Sequence, residues 1–373
     1  MKKIFIILLV ILFFVVIIAW ISAFIYFKVG NDTNTQTFLK SFDTVTASKN
    51  IHEAVLFVEN SAGDFSESFG YGGRDIDTPM LTASITKMFT TACVLKLCEE
   101  RQISLDDKIA LYFNNEQLKG LHIYKGHDYF FDLTISNLLF QTSGLPDSFE
   151  DGNTDSFLQD DKYVTISDSL AETKRQTPRF PPNAGKKAYY ANINFDLLGE
   201  ILVKVTGKPL AEIYEQIIFT PLELTHTYLA VDENDFVPHT FYGEQKLERP
   251  KSIASSGASG GCVSTPRDLM VFSKGFWNGS FFDKAVLEQL AVYRGIQANK
   301  GPINYGGGYM QIPLDGVTTL FMGKGELLGH SGSTGSFMFY YPEKDLHFVG
   351  DLAQFKTPAL PIRLVMKLAM MVK

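Results

Sequence analysis

Ser84-Ile85-Thr86-Lys87 sets a hydroxyl and an amine three residues apart, a spacing that puts both on one helix face about one turn from each other. Such a pair can share a proton. Ile85, Met88, Phe89, Ala92, Val94, Leu95 and Leu97 make the helix apolar nearly all round, the mark of a buried element. Burial and the positive end of the helix dipole both disfavour an ammonium, so Lys87 is expected to be partly neutral and able to take the Ser84 proton. Ser-x-x-Lys also arises by chance in a chain with many serines and lysines, so the motif needs company.

Two further segments offer it. Tyr190-Ala191-Asn192 stands directly before an apolar helical pattern that opens at Ile193, a loop-to-helix junction able to project side chains into a cleft. The phenol is a second proton carrier, and the asparagine amide can donate to a substrate carbonyl and hold the lysine. Tyr112-Phe113-Asn114 repeats the spacing, and Tyr189 and Tyr190 would equally serve as packing aromatics. Gly329-His330-Ser331-Gly332-Ser333-Thr334-Gly335 precedes a terminal hairpin. Small residues there let an edge strand approach a ligand and aim backbone N–H groups at it. A rival nucleophile, Ser259 in Gly257-Ala258-Ser259-Gly260-Gly261, fits the Gly-x-Ser-x-Gly elbow. That elbow requires a strand immediately before it, whereas Arg249-Pro250-Lys251-Ser252 leads into a small-residue loop.

The elements that must position these groups follow from patterning. Ala54 to Val58 and Ser66 to Tyr71 read as one hairpin, and Ser336 to Tyr341 with Leu346 to Leu352 as another at the far end. Helical patterns fill the middle: Ser84 to Glu100, Thr134 to Leu139, Ile193 to Val205, Leu210 to Ile218 and Pro266 to Trp277, with a last helix from Leu360 to Met371. Gly207 with Pro209 supplies a stop, and Thr265 with Pro266 a start. The fold class expected is α+β: an antiparallel sheet flanked by helices, with an inserted helical lobe and a cleft where the lobes meet.

The 373 residues, 45% apolar and 20% charged, can bury a large core. With 34 Lys+Arg against 41 Asp+Glu the chain lacks the basic face that nucleic acid requires, and no nucleic-acid partner is expected. Cys93, Cys98 and Cys262 form neither a disulfide framework nor a zinc-type pair, so buried thiols are expected and no metal site has recognisable spacing. After Lys2 and Lys3, Ile4 to Phe27 is free of charge, long enough as a helix to cross a ~30 Å hydrocarbon layer. The lysines at its start place the N-terminus in the cytoplasm and the rest outside, held by an uncleaved single-pass signal anchor. The domain plan is therefore residues 1–30 as cytoplasmic start and anchor, 31–50 as a linker, and 51–373 as the catalytic domain. Within the linker Phe38 and Phe42, four apart, suit one face of a short docking helix.

In order and spacing these pieces resemble the serine β-lactamase and penicillin-binding-protein superfamily, its class C-like branch of D-alanyl carboxypeptidases, esterases and D-aminopeptidases above all. The resemblance runs through Thr82 to Asp107, Ile135 to Pro146, Tyr189 to Gly207, Pro221 to Thr227, Gly257 to Asp268 and Gly329 to Phe337. It implies Ser84 as the acylated nucleophile, Lys87 as its general base and Tyr190 as the proton relay to the leaving group. Asn192 would grip substrate alongside His330, Ser331, Gly332 and Ser333, and the N–H groups of Ser84 and Ser333 would form the oxyanion hole. No cofactor is implied, and the partner would be a small-molecule or peptide substrate, plausible cell-wall D-alanyl compounds included. Two departures stand out. His330-Ser331-Gly332 replaces the Lys-Thr-Gly of β-lactamases, a weaker fixed charge for a substrate carboxylate that disfavours antibiotic hydrolysis. Gln141 stands where relatives often carry histidine, in a loop read as structural support. The competing readings are a catalytically silent binding or scaffolding protein and a true β-lactamase.

Overall fold

A computed structural model describes residues 11, 13–18, 20–22, 33–151, 154–185, 187–297, 301–316, 319 and 321–373. Most of the expected anchor lies outside these residues, and among the described ones no helix is long and apolar enough to cross a membrane. The expected architecture is present. Eight antiparallel strands form the main sheet: β1 (Ala54–Asn60), β2 (Ser66–Tyr71), β3 (Arg294–Gly295), β4 (Asn304–Tyr305), β5 (Met310–Pro313), β6 (Glu326–Ser331), β7 (Ser336–Tyr341) and β8 (Leu346–Asp351). Their order across the sheet is β3-β4-β5-β6-β7-β8-β1-β2, so the two ends of the domain meet where β8 pairs β1, Val55 opposite Asp351. The helices that matter below are α1 (Asn34–Thr46), α2 (Thr86–Glu99), α3 (Ile135–Leu139), α4 (Ile166–Arg175), α5 (Asn192–Thr206), α6 (Gly257–Gly260), α7 (Pro266–Asn278) and α8 (Leu360–Met371).

Strand alternation decides which helices cover which face. On β8 Phe348 turns to one side and stacks its edge on Phe38 of α1, centroids 6.0 Å apart. Its neighbour His347 turns to the other, where Ser273 of α7 lies 2.8 Å from its Nδ1. Helices α1 and α8 pack on each other over the first face, and α7 covers the second. Phe38 and Phe42 are both buried, as their spacing predicts, and Thr33 and Gln36 cap the helix that carries them. Gly207 ends α5 in the left-handed conformation, and the Thr265 side chain accepts from the Asp268 N–H at the start of α7. The three cysteines are free thiols, Cys93 and Cys262 buried and Cys98 half-buried.

His347 also meets Ser61 through Nε2 at 3.2 Å and stacks on Tyr340 at 4.5 Å. Burial, with Lys274 nearby adding to it, lowers its pKa from 6.5 to about 4. A histidine held neutral in the folded state contributes stability above its unfolded pKa and loses it as pH falls from 6.5 towards 4. Going from pH 7 to 5 should therefore cost the native chain about 2 kcal/mol more than a His347→Gln variant. Urea melts of both at the two pH values check this, and equal slopes would refute it.

Candidate active site

The helical lobe is inserted between β2 and β3, and α2 is its hub, packed against α5 and α6 with Phe89 wedged 4.3 Å from Phe272. Just ahead of α2, Met80–Leu81 pairs with Cys262–Ser264, which pairs in turn with Tyr228–Leu229. This small sheet draws the Ser84 segment up to α6. Ala83 is then forced to φ +44°, a strained value for a residue with a Cβ, and Ser84 follows in a single tight turn, Ala83–Ile85, that leads into α2.

Lys87, in the first turn of α2, is fully buried. Its Nζ lies 3.0 Å from Ser84 Oγ and donates to Asn192 Oδ1 at 2.7 Å and to the Ser259 carbonyl at 2.6 Å. Three directions in space are thus fixed, one of them at the hydroxyl. Asn192 opens α5; its Nδ2 donates to Glu150 Oε1 at 3.1 Å and its backbone N–H to Asp147 Oδ2 at 2.6 Å. A carboxylate only accepts, so Glu150 holds the amide with its oxygen towards Lys87. Gly199 lets α5 approach this closely, since a Cβ there would lie 2.5 Å from Ala258 Cβ of α6.

Tyr190 sits beside the pair, its ring centroid 5.1 Å from Lys87 Nζ. Gln297 brackets its backbone, accepting from its N–H at 2.9 Å and donating to its carbonyl at 2.8 Å, while Gln141 accepts from the next N–H, that of Ala191, at 2.9 Å. Gln141 is thus a support of the Tyr-x-Asn segment, as expected of its loop. Burial pushes the Tyr190 phenol well above its ordinary pKa, with Tyr305 and Glu150 adding and the Ser84 hydroxyl opposing. Its Oη has no hydrogen-bond partner among the described residues.

Two recesses meet at Ser84 and Glu150. The larger, about 460 Å³, also takes in Asp147, Asn192, Asp196 and Ser333; the smaller, about 140 Å³, takes in Tyr190, Met310, Ser331, Gly332 and Ser333. Ser84, Lys87, Tyr190, Asn192, Ser331, Gly332 and Ser333 are therefore together. His330 is not on the wall of either recess. Its ring is buried between Tyr190 (5.9 Å) and Tyr305 (5.9 Å), with Nδ1 2.9 Å from the Ser331 carbonyl. Burial, then the charge of Lys87, lowers its pKa to about 3, so it supplies no cation at neutral pH. Tyr112, of the repeated Tyr-x-Asn triplet, instead donates to Asp107 at 2.5 Å. Ser259 lies within α6 rather than after a strand, and what it offers the site is its carbonyl.

Sequence reasoning missed the carboxylates. Burial raises Asp147 to about 6, with Glu150 adding to it, and raises Asp196 to about 7, Ser259 and Lys87 opposing and Asp147 adding. Asp196 stands four residues after Asn192 on α5, a spacing that places both on one helix face.

The turn between β6 and β7 closes the site. Ser336 Oγ donates to the Thr82 carbonyl at 3.0 Å, and a Cβ on Gly332 would lie 2.2 Å from Ser336 Oγ, 2.7 Å from Thr82 O and 2.9 Å from Ala83 Cβ. Only glycine allows this approach. Gly332→Ala is expected to push the turn off Ser84 and lower kcat/KM by about 10²-fold, with a stability loss of about 1–3 kcal/mol. Steady-state kinetics beside a denaturant melt separate the two effects; unchanged kcat/KM would contradict the close approach.

Residues 57–360 match the Beta-lactamase family, and the chain belongs to it. The chain is 30% identical over 193 residues to Protein flp of Staphylococcus aureus (strain MRSA252), covering 48% of this chain and 35% of that protein. It is 25% identical over 212 residues to the D-alanyl-D-alanine-carboxypeptidase/endopeptidase AmpH of Escherichia coli (strain K12), covering 56% and 52%. The matched part thus spans about a third to a half of these relatives. The D-amino acid amidase of Ochrobactrum anthropi SV3 superposes with a TM-score of 0.73 at 19% identity, over 90% of this chain and 97% of the other. A D-stereospecific amidohydrolase from Streptomyces sp. gives 0.72 at 24%, over 86% and 95%. These superpositions establish the fold. The site joins a serine to a buried lysine as a nucleophile is joined to its base in a serine hydrolase of this family.

Proposed function

We propose that this chain is a membrane-anchored, extracytoplasmic serine hydrolase that forms an acyl-enzyme on amide or ester bonds, with cell-wall D-alanyl groups as its substrates. The observation that carries the reading is Lys87 Nζ, 3.0 Å from Ser84 Oγ, with two further acceptors fixed on it. Ser84 attacks the carbonyl as Lys87 takes its proton; the N–H groups of Ser84 and Ser333 stabilise the oxyanion; Tyr190 returns a proton to the leaving group. Water then repeats the sequence on the ester of Ser84. The name of AmpH, a D-alanyl-D-alanine carboxypeptidase, supports D-alanyl chemistry. The uncharged run Ile4 to Phe27 behind two lysines supports the anchor and its orientation.

The purified protein should be screened against D-alanyl peptides, D-alanyl esters, short acyl esters and nitrocefin. Turnover of a D-alanyl substrate is expected. Rapid turnover of nitrocefin alone would make the chain a β-lactamase, and turnover of none would favour a binding or scaffolding protein. Recovery in a membrane fraction that alkaline carbonate does not strip, with the domain accessible to protease from outside, is the expected result for the anchor.

A further inference from the structure

Strand alternation turns Ser331 to the cleft and His330 behind it. A fully buried imidazole is costly there unless each of its nitrogens has a partner. Each does. Nδ1 lies 2.9 Å from the Ser331 carbonyl, which can only accept, so the ring proton is on Nδ1 and the lone pair is on Nε2. Tyr305 of β4, also fully buried, has its Oη 3.4 Å from Nε2. Burial pushes the Tyr305 phenol well above its ordinary pKa, with the Gln141 amide beside it opposing, so it keeps the proton that Nε2 accepts. The imidazole is thus held at both edges.

What the ring holds in turn is one peptide unit. The carbonyl of the Ser331–Gly332 peptide faces His330 Nδ1, and its N–H donates to the Ser336 carbonyl at 2.8 Å. The Gly332 carbonyl then accepts from the Gly335 N–H at 3.2 Å, closing a turn with Ser333 inside it. The direction of the Ser333 N–H therefore depends on a peptide plane fixed from both sides. The two rings also back Tyr190, with centroids 5.6 Å (Tyr305) and 5.9 Å (His330) from its own. Resting on the acyl-enzyme reading, we infer that Tyr305 and His330 are positioning residues: the Tyr305 hydroxyl holds the His330 ring, whose Nδ1–H holds the Ser331 carbonyl and so aims the Ser333 N–H at the oxyanion. Neither side chain touches substrate. A histidine that bound a substrate carboxylate by charge would act on substrate affinity instead.

The test follows fluorophosphonate labelling of Ser84 to saturation, which separates a maximal rate from a half-saturating concentration. The full-length protein is compared with His330→Leu, His330→Asn, Tyr305→Phe and the Leu/Phe double variant, each beside a denaturant melt. Asparagine keeps an N–H where Nδ1 stands. His330→Leu is expected to lower the maximal rate on the order of 30-fold while the half-saturating concentration moves less than about threefold, because oxyanion donors act on charge that develops only during reaction. His330→Asn should recover most of that loss. Tyr305→Phe should cost about fivefold and add little to His330→Leu, since both act through one ring. An unchanged maximal rate in His330→Leu, a loss confined to the half-saturating concentration, or losses that multiply in full in the double variant would overturn the inference. Should leucine unfold the chain, Tyr305→Phe decides it, and a maximal rate equal to that of the native chain overturns it. Each of these outcomes leaves the acyl-enzyme reading intact, whereas a native chain never labelled at Ser84 removes both.

Discussion

Ser84→Ala is expected to reduce turnover of any substrate by on the order of 10⁵- to 10⁶-fold, the scale on which loss of a covalent nucleophile is felt. Three nearby serines are committed elsewhere. Ser259 is turned into its own helix, where its Oγ donates to the Ser256 carbonyl at 2.9 Å, and Ser336 is committed to the Thr82 carbonyl. Ser331, though on the wall of the smaller recess, points its Oγ at Met310 Sδ, 3.9 Å away. Single-turnover kinetics with an activated ester would show the burst of acylation vanish in the variant. A variant that kept the burst would place the nucleophile elsewhere.

Lys87→Met is expected to cost nearly as much, on the order of 10⁴-fold or more, and the double variant should be little worse than either single one. The hydrogen-bond geometry gives the reason. An ammonium has three N–H groups, and among the described residues three acceptors lie within hydrogen-bond distance of this one: Asn192 Oδ1, the Ser259 carbonyl and Ser84 Oγ. When the nitrogen has two hydrogens, the two acceptors that can never donate keep both, and the lone pair is left facing the one partner that carries a proton. The amine is therefore aimed by Asn192 and Ser259 and not only by its own helix. Methionine keeps much of the volume and none of this. Its cost should appear in kcat with little change in KM, since the interaction is made with the reacting hydroxyl. Equal losses in the two single variants and no further loss in the double would show that the two residues act as a unit.

How much of this is legible in the sequence depends on how local each feature is. The Ser84 and Lys87 pairing is a spacing of three on one helix, and the apolar residues around it announce its burial. The sheet was legible from two hairpins at the chain ends, although the short strands β3 and β4 carry too few residues for alternation to register. Tyr190 and Asn192 were legible only through resemblance. The same triplet at Tyr112 folds away to Asp107, and nothing in the three letters distinguishes them. His330 was expected on the cleft wall with Ser331. Consecutive residues of a strand point to opposite faces, so only one of the two could line it. Asp147 and Glu150 escape a reading by spacing, because they reach Asn192 from more than 40 residues away along the chain. The Ser259 carbonyl carries no side-chain signal at all.

The central claim is a covalent bond to one oxygen. Mass spectrometry of the full-length protein after a fluorophosphonate, and in parallel after a fluorescent penicillin, tests it most directly. A single adduct from the fluorophosphonate on the peptide containing Ser84, absent from both Ser84→Ala and Lys87→Met, is the predicted result. An adduct on another residue such as Ser259, or none on a folded protein, would contradict it.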